Sequence, residues 1–154
     1  LTGCALTTLP RQMVHLTNLE ELILRHNAIS EWPFGLLNLS QLKNIDLSHN
    51  RIERITMTGA VLTGLETLFL QGNQLQELSP DFLDLPNLKE LNCDENPIEH
   101  ISEQWFDTPR KVTVHLTPHR DTTDFNIQAV NQGKVEFIIL DPNAEPDWSD
   151  SIPF

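Results

Sequence analysis

Six histidines, two cysteines and twenty-two carboxylates are the residues here with chemistry in them. His26 and His49 lie 23 residues apart, with Asp46 and Glu95 as acidic company for a metal pair. A zinc centre needs three or four converging ligands. A further 23 residues along, the position is Gly72. The pair therefore reads as surface contact residues, and no metal or other cofactor is expected. His115 and His119 have a spacing that converges on a helix, but they fall on a strand and its exit turn. No glycine-rich phosphate loop and no G-x-S-x-G nucleophile turn is present. Nothing in the residue types points to an enzyme.

The elements that must carry these side chains come from an internal repeat. Of 24 leucines, 23 lie before residue 117. Set in rows of 23, the sequence aligns without gaps, and four full rows fill 19–110, beginning at Leu19, Leu42, Leu65 and Leu88. Each opens L-x-x-[LI]-x-[LC]-x-x-N-x-[LI]-x-x-[LIW]. Partial rows flank them at 1–18 and 111–119, and 120–154 reads as a C-terminal cap with an acidic, proline-containing tail.

This pattern is identified as that of the leucine-rich repeats, in the typical 23-residue class. It resembles the Ras-suppressor-type repeats and several bacterial effectors that act inside host cells. The resemblance implies an α/β fold: a right-handed solenoid with a parallel concave β-sheet, a short-helical or 3₁₀ convex side and a C-terminal cap. It also implies binding through the concave sheet.

Elementary geometry says why such rows stack. A strand alternates faces with period two, so Leu22 and Leu24 point into the coil and Ile23 points out. One coil cannot bury its own leucines, but stacked coils share a core. The Asn at the strand exit answers a polar problem, because the sharp turn leaves backbone groups unpaired inside. A carboxamide offers both donors and an acceptor, and Asn27, Asn50, Asn73 and Asn96 are expected to form a structural ladder. Cys4 falls in this column, and His119 ends it. Cys4 and Cys93 both occupy inward columns and should be buried and inert. Four rungs of about 4.8 Å separate them by roughly 19 Å, beyond the roughly 7 Å limit of a disulfide. Two unpaired thiols favour a reducing compartment.

Convex turns are expected over 34–40, 57–63, 80–85 and 103–108, with Leu36, Leu37, Leu39, Val61, Leu62, Phe82, Leu83, Leu85, Trp105 and Phe106 packing inward. After Thr117 the rhythm stops. A short helix is expected over 122–132, then a strand over 134–140, then a tail. In that tail Trp148, Ile152 and Phe154 either pin it to the body or meet a partner. Leu1 starts in mid-strand, so upstream sequence or a self-contact is expected to cover the first coil.

Composition narrows the partner. Ten Lys+Arg against twenty-two Asp+Glu give a net charge of −12, which argues against nucleic acid and anionic membrane. No apolar run approaches the roughly 18–20 residues of a membrane span. The outward positions nominate Glu21, Ile23, Arg25, His26, Asn44, Asp46, His49, Phe69, Gln71, Glu90, Asn92, Asp94 and His115 as the partner-binding face. Ile23 and Phe69 are its anchors. Its acidic surplus suits a protein with a basic patch; the competing reading is a solvated acidic surface. The expected function is a non-catalytic protein-interaction module, cytoplasmic in location. By resemblance it is a bacterial effector engaging a host signalling protein, such as a small GTPase, in the host cytosol. The alternative is the substrate-recognition part of a larger enzyme, for example a ubiquitin ligase, with its catalytic domain elsewhere. The oligomeric state is left open.

Overall fold

The computed structural model describes residues 1–57, 61–117 and the strand at 135–139. Strands form where inward apolar residues alternate with outward ones. They are β1 (Glu21–Ile23), β2 (Asn44–Asp46), β3 (Thr67–Phe69), β5 (Glu90–Asn92), β7 (Val112–Leu116) and β8 (Val135–Ile139). All pair in parallel in one six-stranded sheet of order β1-β2-β3-β5-β7-β8. Leu22, Ile45, Leu68, Leu91 and Val114 stand opposite one another along the rungs. With its short 3₁₀ convex elements this is the right-handed leucine-rich-repeat solenoid.

The rung offset is constant: Glu21 faces Asn44, Asn44 faces Thr67, and Val112 faces Val135, a step of 23 residues each time. The last of these steps runs past Thr117, where the leucine pattern is lost. The period outlives the consensus, because a strand needs only the right chain length to reach the next rung. A second, two-stranded parallel sheet joins β4 (Glu77–Leu78) to β6 (His100–Ile101), again 23 residues apart. No sequence signal had marked it.

The convex side is built of single turns, too short to stand alone. There are 3₁₀ turns at Arg11–His15, Phe34–Asn38 and Pro80–Asp84 and one helical turn, α1, at Gln104–Asp107. The third has a local cause: Ser79 Oγ accepts the Asp81 N–H, and Pro80 fits the first helical position. Leu36, Leu37, Leu39, Leu62, Phe82, Leu85 and Trp105 are buried in one core with the strand leucines.

Several expectations need correction. Val61 is exposed, not packed inward, and Leu83 and Phe106 are only half-buried. Cys4 is exposed, because only a partial coil surrounds it, whereas Cys93 is fully buried. Burial pushes the Cys93 thiol far above its ordinary range. Leu1 and Leu16 are also exposed, while Leu6 and Leu9 pack partly against the core. The expected helix at 122–132, His119, and the tail with Trp148, Ile152 and Phe154 lie outside the described residues.

Candidate concave binding face

At the exit of each strand the chain must turn sharply. Gly3, His26, His49, Gly72 and Glu95 share one column and all take positive φ, between 53° and 67°. Left-handed backbone disfavours side chains, so this column must be held from outside. The neighbouring asparagines hold it. Asn50 Nδ2 donates to the Leu24 and Leu47 carbonyls, and its Oδ1 accepts the Ile29 N–H. Asn73 donates to Leu47 and Leu70 and accepts from Ile52. Asn96 donates to Leu70 and Cys93 and accepts from Leu75. The Leu24, Leu47 and Leu70 carbonyls thus each serve two asparagines. Asn27, half-buried at the first coil, donates to Leu1 and Leu24 and accepts from Cys4 and Leu6.

Outward side chains of the strands form two parallel columns on the open face. One runs Glu21, Asn44, Thr67, Glu90 and Thr113; the other runs Ile23, Asp46, Phe69, Asn92 and His115. Ile23 is 38 % exposed, a large fraction for a sheet isoleucine, and Phe69 is half-buried. Four polar members pair across rungs, and two more bond to the turn that follows their strand. Thr67 Oγ1 donates to Asn44 Oδ1 at 2.7 Å, and His115 Nε2 lies 3.2 Å from Glu90 Oε1. Asp46 Oδ1 accepts from the backbone N–H and hydroxyl of buried Ser48. Asn92 Oδ1 accepts the Asp94 N–H in the same kind of turn.

One residue of this face was not anticipated. β8 sets Ile138 opposite His115, and Ile138 is 37 % exposed. The apolar alternation of KVEFIIL was the available signal; what it lacked was a reason to join the sheet in register.

The histidine pair is an aromatic stack. The His26 and His49 rings are 4.5 Å apart and within 4° of parallel. Their in-plane lone pairs therefore run side by side and do not converge on one ion. No group of three or more His, Cys, Asp or Glu fit to hold a metal occurs among the described residues. The stack extends to Gly72, where an added Cβ would lie 2.4 Å from His49 Nδ1. His49 lies over Gly72 because that residue lacks a side chain.

Electrostatics reshapes the acidic face. Glu20 pairs with Lys43 at 2.8 Å and Glu66 with Lys89 at 2.7 Å, one rung apart in each case. The hydrogen bond and charge of Glu20 raise the Lys43 pKa, and those of Lys89 lower the Glu66 pKa. Both pairs are exposed and contribute little stability. They do cancel charge, so the negative surplus rests on Glu21, Asp46, Glu90, Asp94 and Glu95, against Arg25. Burial holds Asp94 above the ordinary aspartate range, although the Thr117 hydroxyl and the His115 charge pull it down. Beside it in the strand-exit column stands Gln71, whose buried Oε1 has no hydrogen-bond partner among the described residues.

Comparison with known proteins adds the following. A family model described as leucine-rich repeats, two copies, matches residues 17–57 and 63–103, just over half of the chain. Comparison with curated proteins returns no match. Among solved structures, the chain is similar to a Leptospira interrogans leucine-rich-repeat protein at 20 % identity and TM-score 0.61, over 85 % of this chain and 40 % of the other. It is also similar to the leucine-rich-repeat domain of a Shigella effector at 21 % identity and TM-score 0.64, over 88 % of this chain and 60 % of the other. The chain thus spans less than two thirds of either neighbour. At these identities the likeness shows the fold. No helix among the described residues is long and apolar enough to cross a membrane.

Proposed function

The chain belongs to the leucine-rich repeat family, and on that premise we propose that it is a non-catalytic module that binds a protein through its concave sheet. The observation that carries this reading is the open face itself. Ile23, Phe69 and Ile138 stand on it among polar groups, of which Thr67 bonds to Asn44 and His115 lies against Glu90. Apolar anchors within a rim of other contacts are how a binding surface excludes water.

The partner carries a basic patch. Glu21, Glu90, Asp94 and Glu95 have no lysine or arginine pairing among the described residues. A guanidinium or ammonium placed there meets Asp94 already partly desolvated, and the Gln71 carbonyl offers it an acceptor. Complementary charge also speeds encounter. The fold likeness to a Shigella effector domain supports a bacterial effector that engages a host signalling protein, such as a small GTPase, in the host cytosol. The alternative, substrate recognition for a larger enzyme such as a ubiquitin ligase, uses the same face and differs in whether the full-length protein turns over.

The test compares affinity capture from host-type lysate by the parent chain and by an Ile23→Glu, Phe69→Glu variant. Both positions point outward, so the variant keeps its core, and chemical denaturation checks this. Loss of the specifically captured protein supports the reading. Equal capture by a folded variant refutes it.

A further inference from the structure

The strand-exit column arranges its rings in one direction. Gly3, His26, His49 and Gly72 follow one another in it, one rung apart. Each histidine leans toward the next rung. The His26 ring covers the His49 ring, and His49 covers Gly72, where an added Cβ would lie within 3.3 Å of three of its ring atoms. At the other end nothing leans on Gly3: an added Cβ there meets nothing within 4 Å among the described residues. The Gly3 turn itself is held, because its N–H donates to the Arg25 carbonyl at 3.2 Å. The His26 ring thus has one face on His49 and the other open, above a fixed glycine step. Both histidines are exposed. Ile23, 38 % exposed, stands three residues before His26. The 4.5 Å between the ring centroids is close to the rung spacing of about 4.8 Å, so a ring at the level of Gly3 continues the stack.

We propose that the open face of His26 seats an aromatic side chain of the protein partner, an inference that rests on the concave-face reading and deepens it. The site is a ring face over a step, so it selects a flat group, and stacked rings attract beyond the area they bury. Arg25 stands immediately before His26 and repels a second guanidinium, which favours a neutral ring. The partner's cations belong further along the face. Glu95 lies three rungs from His26 in the same column, with Asp94 beside it, roughly 14 Å away. An extended chain spans that distance in about four residues. The recognised segment therefore carries a Trp, Tyr or Phe about four positions from a Lys or Arg.

The experiment titrates the peptide acetyl-Trp-Gly-Ser-Gly-Lys-Lys-amide into the full chain at low salt and pH 7.5, beside its analogue with Leu for Trp. The ring-proton resonances of His26, assigned with His26→Ala, report the stack. We expect the Trp peptide to bind about two- to tenfold more tightly than the Leu peptide, the worth of one aromatic pair. It should also move the His26 ring protons upfield, as a ring stacked on them does. Gly3→His fills the step with the chain's own imidazole. Histidine already takes this left-handed backbone at His26 and His49, and the added side chain enters open space. In Gly3→His, and in His26→Ala, the preference for Trp should vanish while Lys-driven binding remains. Both positions are exposed, and urea midpoints check that the variants fold. Equal affinity of the two peptides for the parent overturns the proposal and leaves the acidic face standing. A preference that survives in folded Gly3→His also overturns it. If neither peptide binds, the attraction of the acidic face fails and this inference fails with it. An Arg-for-Trp analogue that loses as much affinity in Gly3→His as the Trp peptide overturns the aromatic class.

Discussion

Asn73→Ala removes a side chain that bonds to three backbone groups. Its Oδ1 accepts the Ile52 N–H at 2.9 Å, and its Nδ2 donates to Leu47 and Leu70 at 3.0 and 2.9 Å. Those losses are unequal. The Leu47 carbonyl keeps the Asn50 amide, and the Leu70 carbonyl keeps the Asn96 amide. Only the Ile52 N–H is left without its acceptor, inside a fully buried residue. An orphaned buried donor costs about 1–3 kcal/mol, and each weakened carbonyl a fraction of that, so the sum is about 3 kcal/mol. At a urea slope of about 2 kcal/mol/M the midpoint falls by about 1.5 M. Asn27→Ala is the control. Its acceptor serves Cys4, which is exposed, and half-buried Leu6, so water replaces much of what is lost and the cost is about 1 kcal/mol. Urea unfolding of the two variants, followed by circular dichroism, decides the matter. Equal costs, or less than about 1 kcal/mol for Asn73→Ala, would show that the ladder does not hold the coil turns. Asn73→Asp sharpens the test. It sets a carboxylate oxygen against two carbonyls, so the folded-state acid pKa is raised. The folded state then binds more protons, and the variant should lose stability as pH rises above about 4.

Three other outcomes are expected. Gly72→Ala adds left-handed strain at φ +66° and a Cβ against His49, costing about 1–2 kcal/mol for the backbone alone. In a His49→Ala background the steric part disappears, which a double-mutant cycle in urea measures. Thiol labelling under native conditions should modify Cys4 quickly and Cys93 only after unfolding, because one is exposed and the other buried with a raised pKa; two equally fast thiols would contradict this packing. The Asp94 carboxyl keeps its proton to higher pH when folded, so its contribution to stability is largest below the ordinary aspartate range and declines as pH rises through it. Asp94→Asn should therefore gain on the parent between pH 3 and pH 7 in urea midpoint, and parallel pH profiles would refute it.

The sequence alone determined the period, the inward leucines, the sheet rungs and the fold family. Those follow from local alternation and from row length, which a single chain displays in full. The positions of Ile23, Phe69, Asp46 and Asn92 on the outward columns were legible for the same reason. Tertiary structure alone decided what each outward side chain meets one rung away. Glu20 finds Lys43 and Glu66 finds Lys89, which leaves the net charge of the face unchanged but concentrates its surplus on Glu21, Asp46, Glu90, Asp94 and Glu95. His49 stacks on His26 because Gly72 leaves room on its other side. Ile138 reaches the face through a strand that has lost the leucine code but kept the 23-residue step. Cys4 occupies an inward column yet lies exposed, since burial there needs a neighbouring turn. A repeat fixes where a side chain points; the identity of its neighbours 23 residues away fixes what that side chain is worth.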